Sequence, residues 1–288
     1  MKVAHRLEEL PPGERSVAIG SFDGVHRGHR AVLEAAADAG RPVTVVTFWP
    51  HPRLVLGNQV ELLSTLERRL ELMDESGVDE VLVVEFTPEL AGSEAAEFAE
   101  SLLRRLGARV IAVGENFRFG RAAAGDPELL KELGFEVRTV PTLEGISSSR
   151  IRGLLREGEV VEAARLLGRP AEIEGTVVFG DRRGGTLGYP TANLAVSENL
   201  LVPGYGIYAG EALGHRAAVS IGVNPHYGGD ERRVEPHLLD FDGDLYGRNL
   251  RVELWERLRD ERAFPSEAEL VAQIAQDVER TRAAVRPV

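Results

Sequence analysis

The stretch SVAIGSFDGVHRGHRAVLEAAADA, residues 16–39, reads as a short apolar strand, a glycine-bordered turn and a helix. The β-branched run ends at Gly20, and helical spacing begins near His29. Gly20, Gly24 and Gly28 permit a tight path and close approach of a phosphate. His26 and His29 place two imidazoles around that turn. His29 enters the helix near its positive end, where the dipole and the free N–H groups both favour a polyphosphate. Asp23 either orients a histidine or supports the turn.

The pattern repeats through the first half. Residues 43–48, 81–84, 109–113 and 135–140 read as further strands, several of them continuously apolar as buried parallel strands are. Residues 65–76, 93–106 and 127–133 read as helices between them, long enough for parallel crossovers. The class is therefore α/β, with ligand sites expected beyond the carboxyl ends of the strands. The loops at residues 48–52 (FWPHP) and 114–120 (GENFRFG) also follow strands, so the pattern predicts that they meet the first turn at one cleft.

After Gly145, SSSRIRGLLREG starts a helix, residues 160–167 continue helically, and Gly168, Arg169 and Pro170 punctuate the chain. Beyond this point the period changes. Residues 172–179, 207–211, 215–221, 235–241 and 249–258 read as strands separated by glycine, proline and asparagine, which predicts a compact antiparallel barrel. Ser266 precedes a terminal helix with an apolar stripe of Leu270, Val271, Ile274 and Val278. Two domains, 1–170 and 171–288, are expected, with a single mixed domain as the alternative.

Of the 288 residues 43% are hydrophobic and 28% charged, the balance of a globular chain. No twenty-residue apolar run and no signal-type start occur, so a cytoplasmic protein without a membrane partner is expected. The absence of cysteine removes disulfides, thiolate catalysis and zinc-thiolate sites. A formal net charge of -12 disfavours nucleic acid and anionic membranes as partners. Anionic small substrates then need focused positive sites, for which Arg27, Arg118, Arg121, Arg150 and Arg152 are candidates. A monomer or weak homo-oligomer is expected.

GSFDGVHRGH, residues 20–29, resembles the HxGH nucleotidylyltransferases and, more narrowly, the amino-terminal module of prokaryotic bifunctional riboflavin kinase/FMN adenylyltransferases, the FAD synthetases. The resemblance implies a Rossmann-like domain that transfers AMP from ATP to FMN, giving FAD and pyrophosphate. It implies that His26 and His29 are catalytic at the ATP phosphates, with Gly20, Phe22, Asp23 and Gly28 in the binding turn. FWPHP resembles the family loop that places His51 toward flavin or phosphate. GENFRFG and Asp126 resemble the segment that binds substrate near the phosphates, which implicates Asn116, Arg118 and Asp126. ISSSRIR, residues 146–152, resembles the second ATP-binding motif, with Ser148 and Arg152 as its leading members.

A second stretch, GDRRGGTLGYPTANL at residues 180–194, sets Gly180, Gly184, Gly185 and Gly188 in a nucleotide-covering loop and then constrains the entry to Thr191 and Asn193 with Pro190. The hydroxyl and carboxamide suit a magnesium–phosphate sphere. PTAN resembles the riboflavin kinase motif, which implies that Thr191 and Asn193 hold Mg2+ and ATP while the γ-phosphoryl group passes to the riboflavin 5′-hydroxyl. EPHLLDFDGDLYG, residues 235–247, implies Glu235 as the catalytic base. Asp240, Asp242 and Asp244 are expected to organise its loop, and LRDERAF, residues 258–264, implies flavin-adjacent roles for Arg259, Glu261 and Phe264.

The chain departs from the family at Gly185, where an arginine is usual, with Arg182 and Arg183 nearby, and at His226, where a smaller polar residue is usual. The expectation is riboflavin to FMN to FAD, with the carboxyl-terminal module as an antiparallel kinase-like barrel. Two alternatives stay open: an FAD synthetase whose kinase-like domain is inactive, and a noncatalytic flavin or nucleotide sensor.

Overall fold

The computed structural model describes residues 1–180, 188–223 and 232–288, and the chain divides into two units, Met1–Ser148 and Ser149–Val288. In the first unit, β1 (Lys2–Ala4), β2 (Arg15–Ile19), β3 (Val43–Trp49), β4 (Glu80–Glu85), β5 (Ala108–Gly114) and β6 (Glu136–Val140) form a parallel sheet in the order β1-β4-β3-β2-β5-β6. Its helices are α1 (Arg27–Ala37), α2 (Pro52–Val55), α3 (Leu66–Glu75), α4 (Pro88–Gly92), α5 (Ala95–Phe98) and α6 (Pro127–Glu132). From β2 the chain winds outward through β3 and β4, then returns to the other side at β5 and β6. The switch point therefore falls between β2 and β5, where open α/β sheets place their ligands.

Burial on both faces explains the continuous apolar runs. Val46, Phe48, Ile111 and Val113 pack with Phe98, Leu103 and Leu130 on one face, while Val45, Val81, Val83 and Ala112 pack with Leu33, Leu72 and Met73 on the other. Three details differ from the sequence expectation. The sheet gains β1, a three-residue edge strand too short to show a period. The helix expected over residues 93–106 is α5 followed by a π-helical turn, Ala99–Arg104. The expected helix at residues 127–133 ends at Glu132.

The second unit carries α7 (Ser148–Glu157, which begins at the division), α8 (Val160–Leu167) and the strands β7 (Ala171–Val178), β8 (Asn193–Ala195), β9 (Gly206–Ala212), β10 (His215–Val223), β11 (Arg232–Leu238) and β12 (Asn249–Arg259). All adjacent pairs are antiparallel, in the order β11-β10-β9-β12-β7-β8. The Ala192 N–H donates to the Pro236 carbonyl (2.9 Å), bringing the two ends of the order together in a nearly closed barrel. Val219, Val234 and Val252 are buried and alternate with Ser220, Arg233, Glu235, Arg251 and Glu253, whereas β9 is buried on both faces, with Tyr208 on one and Ala209 packed with Trp255, Leu258 and Ala284 on the other. Within β11 the strand lies earlier than the expected residues 235–241, because Asp240 takes a left-handed φ of 57° and turns the chain. The terminal helix α9 (Glu267–Ala283) is capped by Ser266, whose hydroxyl accepts the Glu269 N–H (3.3 Å).

Candidate functional site

Beyond β2 the chain bends sharply: Phe22, Gly24 and Val25 all have positive φ, at 48°, 83° and 37°. Two of these are not glycine, so the turn stores strain that its surroundings must hold. Asp23 provides the brace. Its carboxylate, 1% exposed, accepts from the Leu63 N–H (3.0 and 3.1 Å), the Ser64 N–H (3.3 Å) and the Ser64 hydroxyl (3.5 Å). The fully buried guanidinium of Arg69 approaches it at 3.3 Å and sits over the Trp49 ring. Ser148 donates to the Asp23 carbonyl (3.1 Å). These contacts support the turn, one of the two roles open for Asp23.

His26 caps α1: its Nδ1 accepts the His29 N–H at 3.2 Å. An accepting Nδ1 carries no proton, so the neutral ring keeps its N–H at Nε2, facing away from the helix bond. The His26 and His29 rings stack at 3.6 Å, and Phe22 meets His29 edge-on at 5.2 Å. Gly28 lies between the two histidines in the first turn. His51 repeats the device, its buried Nδ1 accepting the Arg53 N–H (3.2 Å) to cap α2.

A cavity of about 560 Å³ opens from Gly20 at the switch point, walled by Phe48, Phe98 and Phe117 and bordered by Asn116 and Arg118. The loops after β2, β3 and β5 thus meet at one cleft, as the strand order predicts. Phe86 and Phe98 also line it and were not singled out from the sequence. Phe86 directly follows β4, so the rule that pointed to the other post-strand loops applies to it too. Asn116 donates to the Thr142 hydroxyl (2.9 Å), and Arg118 is exposed with one nitrogen on the Phe117 carbonyl (2.8 Å). Next to it, the Thr142 N–H donates to Glu115 and holds that carboxyl below its usual value. Asp126 caps α6 by accepting the Leu129 N–H at 3.0 Å, so its carboxylate serves the helix. Arg152 is buried on α7, in the second unit, while Arg150 is exposed.

In the second unit Asn193 faces Val178 across β7 and β8. Its carboxamide occupies the space that a Cβ on Gly180 would fill, so any other residue there would push the carboxamide aside. Gly188, with φ 85°, leads into Tyr189, Pro190 and Thr191. On β11 the side chains of Val234, Pro236 and Leu238 are buried, leaving Glu235 and His237 on the opposite face, paired with Ser220 and Ala218 of β10. A cavity of about 210 Å³ is lined by Val177, Thr191, Pro236, Leu238, Asp244 and Tyr246. At its lip Phe179, 73% exposed, stacks on Tyr246 at 4.2 Å.

The remaining candidates divide. Asp240 forms a two-pronged pair with Arg282 (2.6 and 2.9 Å), which holds its carboxyl below the usual range, and Asp244 accepts the Tyr246 N–H (3.0 Å). Both organise the loop. Arg259 is committed to the buried Asp277 through Nε and Nη2, the latter at 2.7 Å, and lies over Phe264. Arg259 is thereby tied to α9. Gly184, Gly185, Arg182, Arg183 and His226 lie outside the described residues. Among the described residues, no group of three or more His, Cys, Asp or Glu could hold a metal, and no helix is long and apolar enough to cross a membrane.

Comparison with known proteins fits both units. The family model for FAD synthetase matches residues 10–152, and that for riboflavin kinase matches residues 167–285. A bifunctional riboflavin kinase/FMN adenylyltransferase of Escherichia coli (strain K12) is 39% identical over 95% of this chain and 93% of its own length. One from Bacillus subtilis (strain 168) is 32% identical over 95% of this chain and 93% of its own. A crystal structure described as a macrolide-efflux protein from Streptococcus pneumoniae superposes with a TM-score of 0.87 at 33% identity, covering 97% of this chain and 98% of that one.

Proposed function

This chain belongs to the bifunctional riboflavin kinase/FMN adenylyltransferase family, and we infer that it phosphorylates riboflavin with ATP and then adenylylates the resulting FMN to FAD. Adenylyl transfer is assigned to residues 1–170 and phosphorylation to residues 171–288, in keeping with the residues the two family models match. The observation that supports the first assignment is the His26–His29 pair at the N-terminus of α1, in the same turn as Gly20 and Ser21, which line the aromatic-walled cavity at the switch point.

In adenylylation a phosphate oxygen of FMN bonds to the α-phosphorus of ATP as the bond to the bridging oxygen breaks and pyrophosphate leaves. Charge grows on the leaving group. His26, with Nδ1 spent on the helix cap, offers Nε2–H to that charge, and His29 and the open N–H groups of α1 add to it. The phenylalanines of the cavity take the flavin ring, and Asn116 and Arg118 at its border take polar groups.

In phosphorylation Glu235 accepts the proton of the riboflavin 5′-hydroxyl as that oxygen bonds to the γ-phosphorus, while the bond from the γ-phosphorus to the β–γ bridging oxygen breaks and ADP leaves. Thr191 and Asn193 are the residues that would hold Mg2+. Their neutral oxygens suit a hard cation, and the missing Cβ of Gly180 gives the Asn193 carboxamide its room. Bound there, Mg2+ would neutralise phosphate charge. We propose with it a cytoplasmic protein that is a monomer or a weak homo-oligomer.

Incubating the purified chain with ATP, Mg2+ and either riboflavin or FMN, then separating the flavins, tests both halves. FMN converted to FAD with no FMN formed from riboflavin would remove the kinase half. Glu235→Gln is expected to lower the rate of FMN formation by about 10²–10⁴ while leaving FAD formation from FMN unchanged.

A further inference from the structure

His237 stands two residues along β11 from Glu235 on the same strand face, and its Nδ1 lies 2.7 Å from the Pro190 carbonyl oxygen. A carbonyl oxygen only accepts, so Nδ1 carries the proton in this contact. The ring edge of Tyr189 packs against the same imidazole, with centroids 5.6 Å apart and planes 84° from parallel. Thr191 follows directly, and next to it the Ala192 N–H donates to the Pro236 carbonyl (2.9 Å).

The two bonds complement each other. Facing residues in a hydrogen-bonded antiparallel pair exchange two bonds, but Pro236 has no N–H to return to Ala192. The seam of the barrel is one donor short at that point. The His237 side chain supplies a donor from the same strand, directed at Pro190. Thr191 is therefore fixed on both sides, through Pro190 before it and Ala192 after it.

We propose that His237 is a positioning residue of the kinase reaction, holding the Tyr189–Ala192 turn against the strand that carries Glu235 and so fixing where the nucleotide binds. This rests on the kinase reading above. The imidazole need not touch substrate. It acts through the backbone that carries Thr191, so its loss falls on ATP binding more than on proton transfer.

Three full-length variants separate this role from mere bulk. In His237→Asn the amide nitrogen lies near the place of Nδ1, in His237→Gln it lies near that of Nε2, and His237→Leu has no donor. For riboflavin phosphorylation, the Leu and Gln variants are expected to raise the KM for ATP about tenfold, with kcat within about threefold of the parent. The Asn variant should stay within about threefold in both. The KM for riboflavin and the conversion of FMN to FAD should be unchanged in all three, the latter showing that the chain is folded. The 15N shifts of the parent protein should report a protonated Nδ1 at His237. An unchanged KM for ATP in the Leu variant, an Asn variant as impaired as the other two, or an unprotonated Nδ1 would each overturn the proposal. A parent protein that makes no FMN from riboflavin defeats the kinase reading and this role with it, whereas an active parent with unaltered variants defeats this role alone.

Discussion

The imidazoles of His26 and His29 lie face to face, centroids 3.6 Å apart and planes 13° from parallel, while Nδ1 of His26 accepts the backbone N–H of His29. Nδ1 of His26 caps α1, and on the proposed reading its Nε2–H serves phosphate, so one residue would have two duties. These duties can be separated. Asparagine is a strong N-cap and places an acceptor where Nδ1 was, but it has no counterpart of Nε2–H. His26→Asn is expected to melt close to the parent protein and to form FAD from FMN about 10²–10³ times more slowly. His26→Ala should lose that rate and also about 1 kcal/mol of stability. Equal rates for the Asn variant and the parent would show that His26 is a cap alone.

The strained turn that carries these histidines depends on the Asp23–Arg69 pair, both members of which are almost wholly buried. Removing one partner of a buried pair leaves a charge with diminished compensation, at a cost of about 3–5 kcal/mol. Arg69→Met is expected to show this in urea denaturation of the first unit. Residual FAD formation should fall at temperatures where the variant is still folded, because the turn is no longer held in its left-handed conformation. An Arg69→Met protein as stable as the parent would mean that the bonds from Leu63 and Ser64 suffice.

What the sequence displays is what is local or periodic. The apolar run of β3 is buried on both faces and β10 alternates, so each advertises its sheet. The turn at residues 20–29 is a contiguous stretch whose strand and helix both show. Pairings across the fold leave no such trace. Asp23 reads as a site residue because it sits in the motif, yet its carboxylate is occupied by residues forty and more positions later. Phe86 and Phe98 join the cavity wall only when the parallel sheet brings β4 and α5 beside it. Arg259 looks available in LRDERAF, and only the buried Asp277 on α9 shows that it is not. Likewise β11 ends early for a reason outside its own strand pattern, the turn at Asp240.

Gly180 and Asn193 give a prediction for the second unit. The Asn193 carboxamide fills the position of a Cβ on residue 180, so Gly180→Ala forces that side chain aside. Riboflavin phosphorylation should fall, with a raised KM for ATP, while FAD formation from FMN serves as the unaffected internal control. Kinetics of both half-reactions on one preparation check it. An unchanged KM for ATP would show that Asn193 keeps its function from another rotamer.

Asp240 links the loop that lines the smaller cavity to the last turn of α9, through its pair with Arg282. The Arg282 hydrogen bonds hold the Asp240 carboxyl below its ordinary value in the folded chain. A depressed carboxyl pKa favours the fold wherever the carboxylate is ionised, so this contribution is complete above the unfolded value of about 3.9 and disappears as pH falls through the folded one. Asp240→Asn should therefore lower the melting temperature slightly at pH 7 and leave it unchanged in acid below both values. The pair is exposed, so the difference at pH 7 should also shrink in high salt. Thermal melts of parent and variant at the two pH values, each with and without added salt, decide it. A difference that persisted in acid would mean that the loop is held by packing around Phe241 rather than by the charge on Asp240.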